Sequence, residues 1–189
     1  AESAREILLL AYERERAEPD PSAGSYLGLA EIQPARAVEL LDRLVMTMGE
    51  PFAYHAAAAG VLLAQNRGAE AARYAEPLAK AAPWSAEARL LLARAKGDEA
   101  TLVTVAMDGQ AAYGTRLEAA QALNRSITTG ARELDLLAGR VTSATEAEQP
   151  YVVTARLKAA AAATDGAVKV RLLRAVLAPV SYTHLRAHE

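Results

Sequence analysis

His184 and His188, in the terminal stretch SYTHLRAHE, have the four-residue spacing that places two metal ligands on one helical face. A zinc site also needs a third ligand and a carboxylate pattern, and HLRAH supplies neither. The third histidine, His55, has no nucleophile placed beside it by the sequence and reads as a packing or helix-surface residue rather than an acid or base. Ser25, Ser85 and Thr129 stand at helix starts and turns, where a hydroxyl serves as a cap more readily than as a nucleophile. Gly24 and Gly28 do not form a phosphate loop, because the lysine followed by Ser or Thr is absent and no buried strand precedes them. There is no cysteine, hence no disulfide frame, thiolate nucleophile or cysteine-based metal site. With no catalytic constellation, no metal site and no cofactor loop, the expectation is a non-enzymatic chain.

What would position any binding residues is a set of helices. The organising stretch runs from Pro51 to Ala95. Tyr54 to Gln65 is almost entirely Ala, Gly, Val and Leu, which suits an inner helix buried on most sides and too short to span a membrane. Asn66, Arg67 and Gly68 supply its stop, with Gly68 expected in the left-handed conformation. From Ala71 to Ala82 the residues Ala71, Ala75, Leu78 and Ala82 make one apolar stripe, and Pro83 ends that helix. Ser85 caps the next.

Taken in order, Glu2 to Ala17 is a first helix with Ile7, Leu8, Leu10 and Ala11 as its apolar side. Ser25 to Ile32 and Ala35 to Met48 form a hairpin, the second helix being started by Pro34 and striped by Val38, Leu41, Val45 and Met48. Glu99 to Met107 is a short outer helix. Another pair follows, with Tyr113, Leu117, Ala120 and Asn124 along one side of its first helix and Ala131 to Leu137 as its second. Residues 139–148 read as a loop. The last pair carries Val153, Leu157, Ala160 and Ala161 on one helix, Asp165 as a cap, and Val168, Leu172 and Val176 on the other.

Aromatic residues make up 5% of the chain and apolar types 52%, so the core must come from Ala, Leu and Val at close helix spacing. Pro21, Pro51 and Pro83 precede inner helices at intervals of 30 and 32 residues, within the range of solenoid repeats. The expected fold is all-α, a right-handed α-α superhelix of antiparallel helical hairpins over residues 1–180, most regular over 24–96 and divergent over 98–178. Such an array curves and offers a concave side. Net charge is −2 and no Lys/Arg run exceeds two residues, which excludes a nucleic-acid partner.

GAEAARYAEPLAKAAPWSAEARLLLARA, residues 68–95, resembles the second helix of a tetratricopeptide repeat followed by the first helix of the next. The matching positions are Ala59 or Gly60, Ala71, Pro83 and Ala93. The inner-helix Trp and Tyr of that family are not evident, and the segment from Gly68 to Pro83 is shorter than the family's. The resemblance implies a scaffold that holds a protein or peptide partner in its groove. The family's clamp for acidic C-terminal tails uses inner-helix Lys, Arg and Asn, for which Arg89, Arg94, Lys96, Arg116 and Asn124 are loose counterparts. Candidate partner-binding residues are therefore Tyr54, Trp84, Arg89, Arg116 and Asn124. Trp84 reads first as a staple between consecutive repeats and second as an anchor for a peptide; Met46 and Met48 read as core filling. The alternative function is a purely structural helical segment of a larger enzyme or secretion-associated protein.

SYTHLRAHE, residues 181–189, breaks the pattern before it and resembles an adapter-derived tail of the kind that ends unrelated metagenome-derived chains; it is read as non-native or disordered. The chain opens without Met and already in a helical pattern, as a piece of a longer protein would. Composition fixes neither compartment nor oligomeric state.

Overall fold

The structure is a computed structural model, and it describes residues 2–18, 21–48, 51–123, 137 and 149–177. Asn124, most of the second helix of its pair, the loop 139–148 and the tail 181–189 lie outside the described residues. Among the described residues there are ten α-helices and no strand. The chain divides into two compact units, Ala1–Lys96 and Gly97–Glu189.

The first unit contains α1 (Glu2–Arg16), α2 (Ala23–Ile32), a 3-10 turn (Pro34–Arg36), α3 (Ala37–Thr47), α4 (Pro51–Ala64), α5 (Gly68–Ala81) and α6 (Ala86–Lys96). Each helix packs on the next, and α2, α4 and α6 also touch in series, forming an inner row. The second unit contains α7 (Glu99–Met107), α8 (Tyr113–Leu123), α9 (Gln149–Ala162) and α10 (Gly166–Leu177). Here α7 pairs with α8 and α9 with α10, and α9 rests on α7 and α8. Within each unit these adjacent-helix contacts follow the pattern of a right-handed solenoid of antiparallel hairpins.

The helix ends show why the chain breaks where it does. Ser22, not Ser25, caps α2: its Oγ accepts from the Ser25 amide at 3.4 Å, and the fully buried Ser25 hydroxyl donates back to the Ser22 carbonyl at 2.8 Å. Pro34 opens a 3-10 turn rather than α3 itself, which begins at Ala37. Ser85 accepts from the Ala88 amide at 3.3 Å, and Asp98 from the Thr101 amide at 3.1 Å. Asp165 caps α10 through the Ala167 and Val168 amides at 2.7 and 3.4 Å.

The stop after α4 differs from expectation. Asn66 takes the left-handed conformation, with φ 58°, while the Arg67 amide bonds the Leu62 carbonyl and the Asn66 amide the Leu63 carbonyl. Those two bonds are the Schellman pair, and asparagine tolerates the left-handed region better than most side chains. Gly68 opens α5 instead, because a Cβ there would stand 2.6 Å from the backbone oxygen of Ala95. At Gly28 the reason is also space, since the ring of Tyr12 on α1 lies where a Cβ would be. Gly60 meets nothing within 4 Å. The small residues fully enclosed in α4 are Ala58 and Ala59, as Ala71 is on α5.

Several expected faces are rotated. On α1, Ile7, Leu8 and Leu10 face solvent, at 66%, 48% and 70% exposure, and Leu9 and Tyr12 pack on the core. On α3 the buried residues are Ala37, Leu40, Leu41 and Leu44, with Val38, Val45 and Met48 at the margin. Tyr74 joins Ala71, Ala75 and Leu78 on the buried side of α5, and Ala82 follows the helix as its C-cap. On α8, Thr115, Ala119, Ala120 and Leu123 are buried while Tyr113 is exposed. On α9, Val152, Ala155, Ala159 and Ala160 are buried and Leu157 is exposed. Leu172 of α10 is buried, flanked by half-buried Val168 and Val176, as its stripe predicts.

These placements give the glycines opposite roles. Gly60→Ala should raise stability by about 0.5–1 kcal/mol, since alanine is the better helix former and the site is open. Gly68→Ala should lower it by about 1–3 kcal/mol, by driving a methyl group into the α6 backbone. Urea midpoints of the two variants against the parent chain check the sign of each.

Candidate functional site

The five residues expected to bind a partner do not form one constellation. Tyr54, in the first turns of α4, is half-buried and packs on the core of the first unit. Arg89 is half-buried on α6. Arg116 belongs to the second unit, where its Nε donates to the Ala106 carbonyl at 3.2 Å and closes the end of α7. Asn124 lies outside the described residues. Lys96 is engaged with Glu76 at 2.8 Å.

Trp84 is 78% exposed in the connection between α5 and α6. A staple between repeats would be enclosed by both of them, so that reading is overturned. Met46 is 86% exposed and is not core filling. Because α3, α4, α5 and α6 alternate in direction, the α3–α4 and α5–α6 connections fall at the same end of the hairpins. Met46, Phe52 and Trp84, all exposed, therefore lie toward the same end of the helices of the first unit. The exposed side of α4 in the inner row carries Ala53 and Ala64, with Ala57 and Gly60 between them, and no charged group. A tail-binding clamp would need cations there.

Sequence reasoning missed the outward faces of α1 and α10. On α10, Val170, Leu173 and Leu177 are 48%, 37% and 63% exposed. The signal was present in the sequence: each helix carries more aliphatic residues than one buried stripe can use. In α10 two stripes interleave, 168/172/176 inward and 170/173/177 outward.

Polar groups near the cores are engaged in structural work. Tyr74 Oη donates to Asp42 Oδ1 at 2.6 Å, tying α5 to α3, and its ring meets that of His55 edge-on at 6.1 Å. Burial pushes the phenol well above its ordinary pKa, and the hydrogen bond to Asp42 adds to the shift. Arg16 holds Glu13 below the usual carboxylate range through a 2.7 Å ion pair. Arg156, 2% exposed on α9, donates to the Ala175 carbonyl of α10 at 2.7 Å, and desolvation lowers its pKa. Among the described residues no group of His, Cys, Asp or Glu could hold a metal ion, and no helix is long and apolar enough to cross a membrane.

This geometry defines an all-α protein of stacked antiparallel helix pairs. No family model matches the chain, and comparison with curated proteins and with solved structures finds no match.

Tyr74 gives a pH signature. Its folded pKa lies above the unfolded phenol's value of about 10. The stability it contributes is thus fully present below pH ~10 and is lost as pH rises through the folded pKa. The parent chain should lose stability above pH ~10 more steeply than Tyr74→Phe, which should itself be about 1 kcal/mol less stable at neutral pH. Denaturant midpoints of both chains between pH 7 and 11 read the difference.

Proposed function

We propose that this chain is a non-enzymatic, tetratricopeptide-like scaffold that holds a protein or peptide partner. The reading rests on one observation: large apolar side chains stand in solvent at defined places, chiefly Trp84 in the α5–α6 connection, while polar side chains such as Arg67 and Arg116 are spent on helix ends within their own units. An exposed indole is the side chain best suited to anchor a partner, because it offers a large apolar area with few torsions to restrict. The inner row, lined on α4 by alanine and glycine, favours docking by apolar contact over capture of a charged terminus.

A second reading has its own support. Terminal elements of a repeat stack need polar outer faces, and α1 shows Ile7, Leu8 and Leu10 to water instead. That pattern favours a structural helical segment within a larger protein, its outer faces covered by further helices.

Trp84 is the single tryptophan of the chain, so its emission reports directly on that connection. In the free protein it should emit as a solvated indole and be quenched readily by acrylamide. Peptides selected on the intact chain from a random library should shift that emission to the blue, and Trp84→Ala should weaken them by about 1–3 kcal/mol, or roughly fivefold to 150-fold. Selected peptides that leave the emission unchanged and bind Trp84→Ala equally well would move recognition away from this connection.

A further inference from the structure

The α9–α10 hairpin is strongly basic in a chain whose net charge is −2. Its sequence holds Lys158, Lys169, Arg171 and Arg174, besides the buried Arg156, against a single acid, Asp165, whose carboxylate accepts from the amides at the start of α10. Lys169, Arg171 and Arg174 are exposed, and none has an acidic partner among the described residues. The helix dipole accounts for Arg174, which lies in the last turn; it does not account for Lys169 or Arg171 nearer the start. Between these cations run Val170, Leu173 and Leu177, all exposed and spaced by three and four residues.

We infer that the outward face of α10 is a docking surface for an amphipathic helix with acidic flanks, supplied by a partner protein. The inference rests on the scaffold reading above and names the chemistry of one partner. An apolar stripe of period 3.6 is the natural complement of a second helix, whose own aliphatic row removes the stripe from water. The cations on either side then meet carboxylates, which select that helix over a basic one and set its register. A lipid surface is the weaker complement. The stripe offers three aliphatic side chains and no aromatic, and the opposite side of α10 is committed to α9 through Leu172, Val168 and Val176.

The test uses the full chain and a synthetic 18-residue helical peptide, with leucines at helical spacing and glutamates flanking them. A peptide with every glutamate replaced by lysine serves as the control. Anisotropy of the labelled peptides should show saturable binding of the Glu peptide and at least tenfold weaker binding of the Lys peptide. Leu173→Asp should weaken the Glu peptide at least tenfold. The double variant Arg171→Glu/Arg174→Glu should reverse the preference, so that the Lys peptide binds more tightly. All these positions are exposed, and far-UV circular dichroism should show the helices of each variant intact. Equal binding of both peptides, no saturable binding, or variants that change nothing would overturn the inference. Binding to vesicles containing phosphatidylglycerol but to neither peptide would overturn it in favour of a lipid surface. The scaffold reading fails separately, on the emission of Trp84.

Discussion

The carbonyl end of α2 is where the first unit is held together. A helix leaves its last carbonyls without intrahelical partners, so each must find one from outside the helix. Two neighbours meet that need at α2, and a third reaches the 3-10 turn that follows it. Arg5 of α1 donates to the Ile32 carbonyl at 2.6 Å, Gln65 beyond α4 to the Ala30 carbonyl at 2.8 Å, and Arg67 before α5 to the Pro34 carbonyl at 2.6 Å. One helix terminus thus fixes the helix before it and the hairpin after it. Arg67 is itself oriented by Glu70, through bonds from Nε and Nη2 at 3.2 and 3.0 Å. The second unit uses the same device at the ends of α7 and α10, through Arg116 and Arg156.

The device matters because the core is thin. A buried alanine removes far less apolar surface from water than a leucine, so Ala58, Ala59, Ala71 and Ala75 stabilise chiefly by letting helices approach until backbones nearly touch. Close approach leaves no room for error, as Gly68 against the Ala95 carbonyl and Gly28 beneath the Tyr12 ring show. It also brings helix ends near one another, where arginine can span from one element to the next while its aliphatic stem covers apolar surface.

Among the described residues, approximate helix limits were legible in the sequence because prolines, capping residues and turn signals act locally. Faces were legible only where apolar residues at helical spacing are set off by charges, as at Ala71, Ala75 and Leu78 among the charges of α5 and on the inward side of α10. In α4, α8 and α9, alanine surrounds the axis and one face scarcely differs in hydrophobicity from another, so Leu157 was assigned inward when it lies outside. On α1 three adjacent aliphatics outvoted Leu9 and Tyr12, although Gly28 is shaped to receive the tyrosine. The left-handed residue after α4 was misassigned because Asn66 and Gly68 both suit that conformation, and only the nearness of Ala95 decides between them. Of the candidate site, Trp84 could be singled out by type, but its exposure is a property of the connection it occupies.

Which faces turn outward bears on function. A stripe on a soluble helix is ordinarily taken as the side turned to the core, and a helix with two stripes breaks that inference because only one of them can be satisfied by its own hairpin. Both α1 and α10 carry such a surplus. In α10 the outward stripe has cations alone beside it, whereas Glu6 and Arg14 give α1 mixed charge. Apolar area supplies most of the drive for two helices to associate, and flanking charge decides which helices do so. The surplus on α1 is therefore compatible with any covering helix. The surplus on α10 discriminates, and that asymmetry separates a surface suited to a particular partner from one that needs only to be covered.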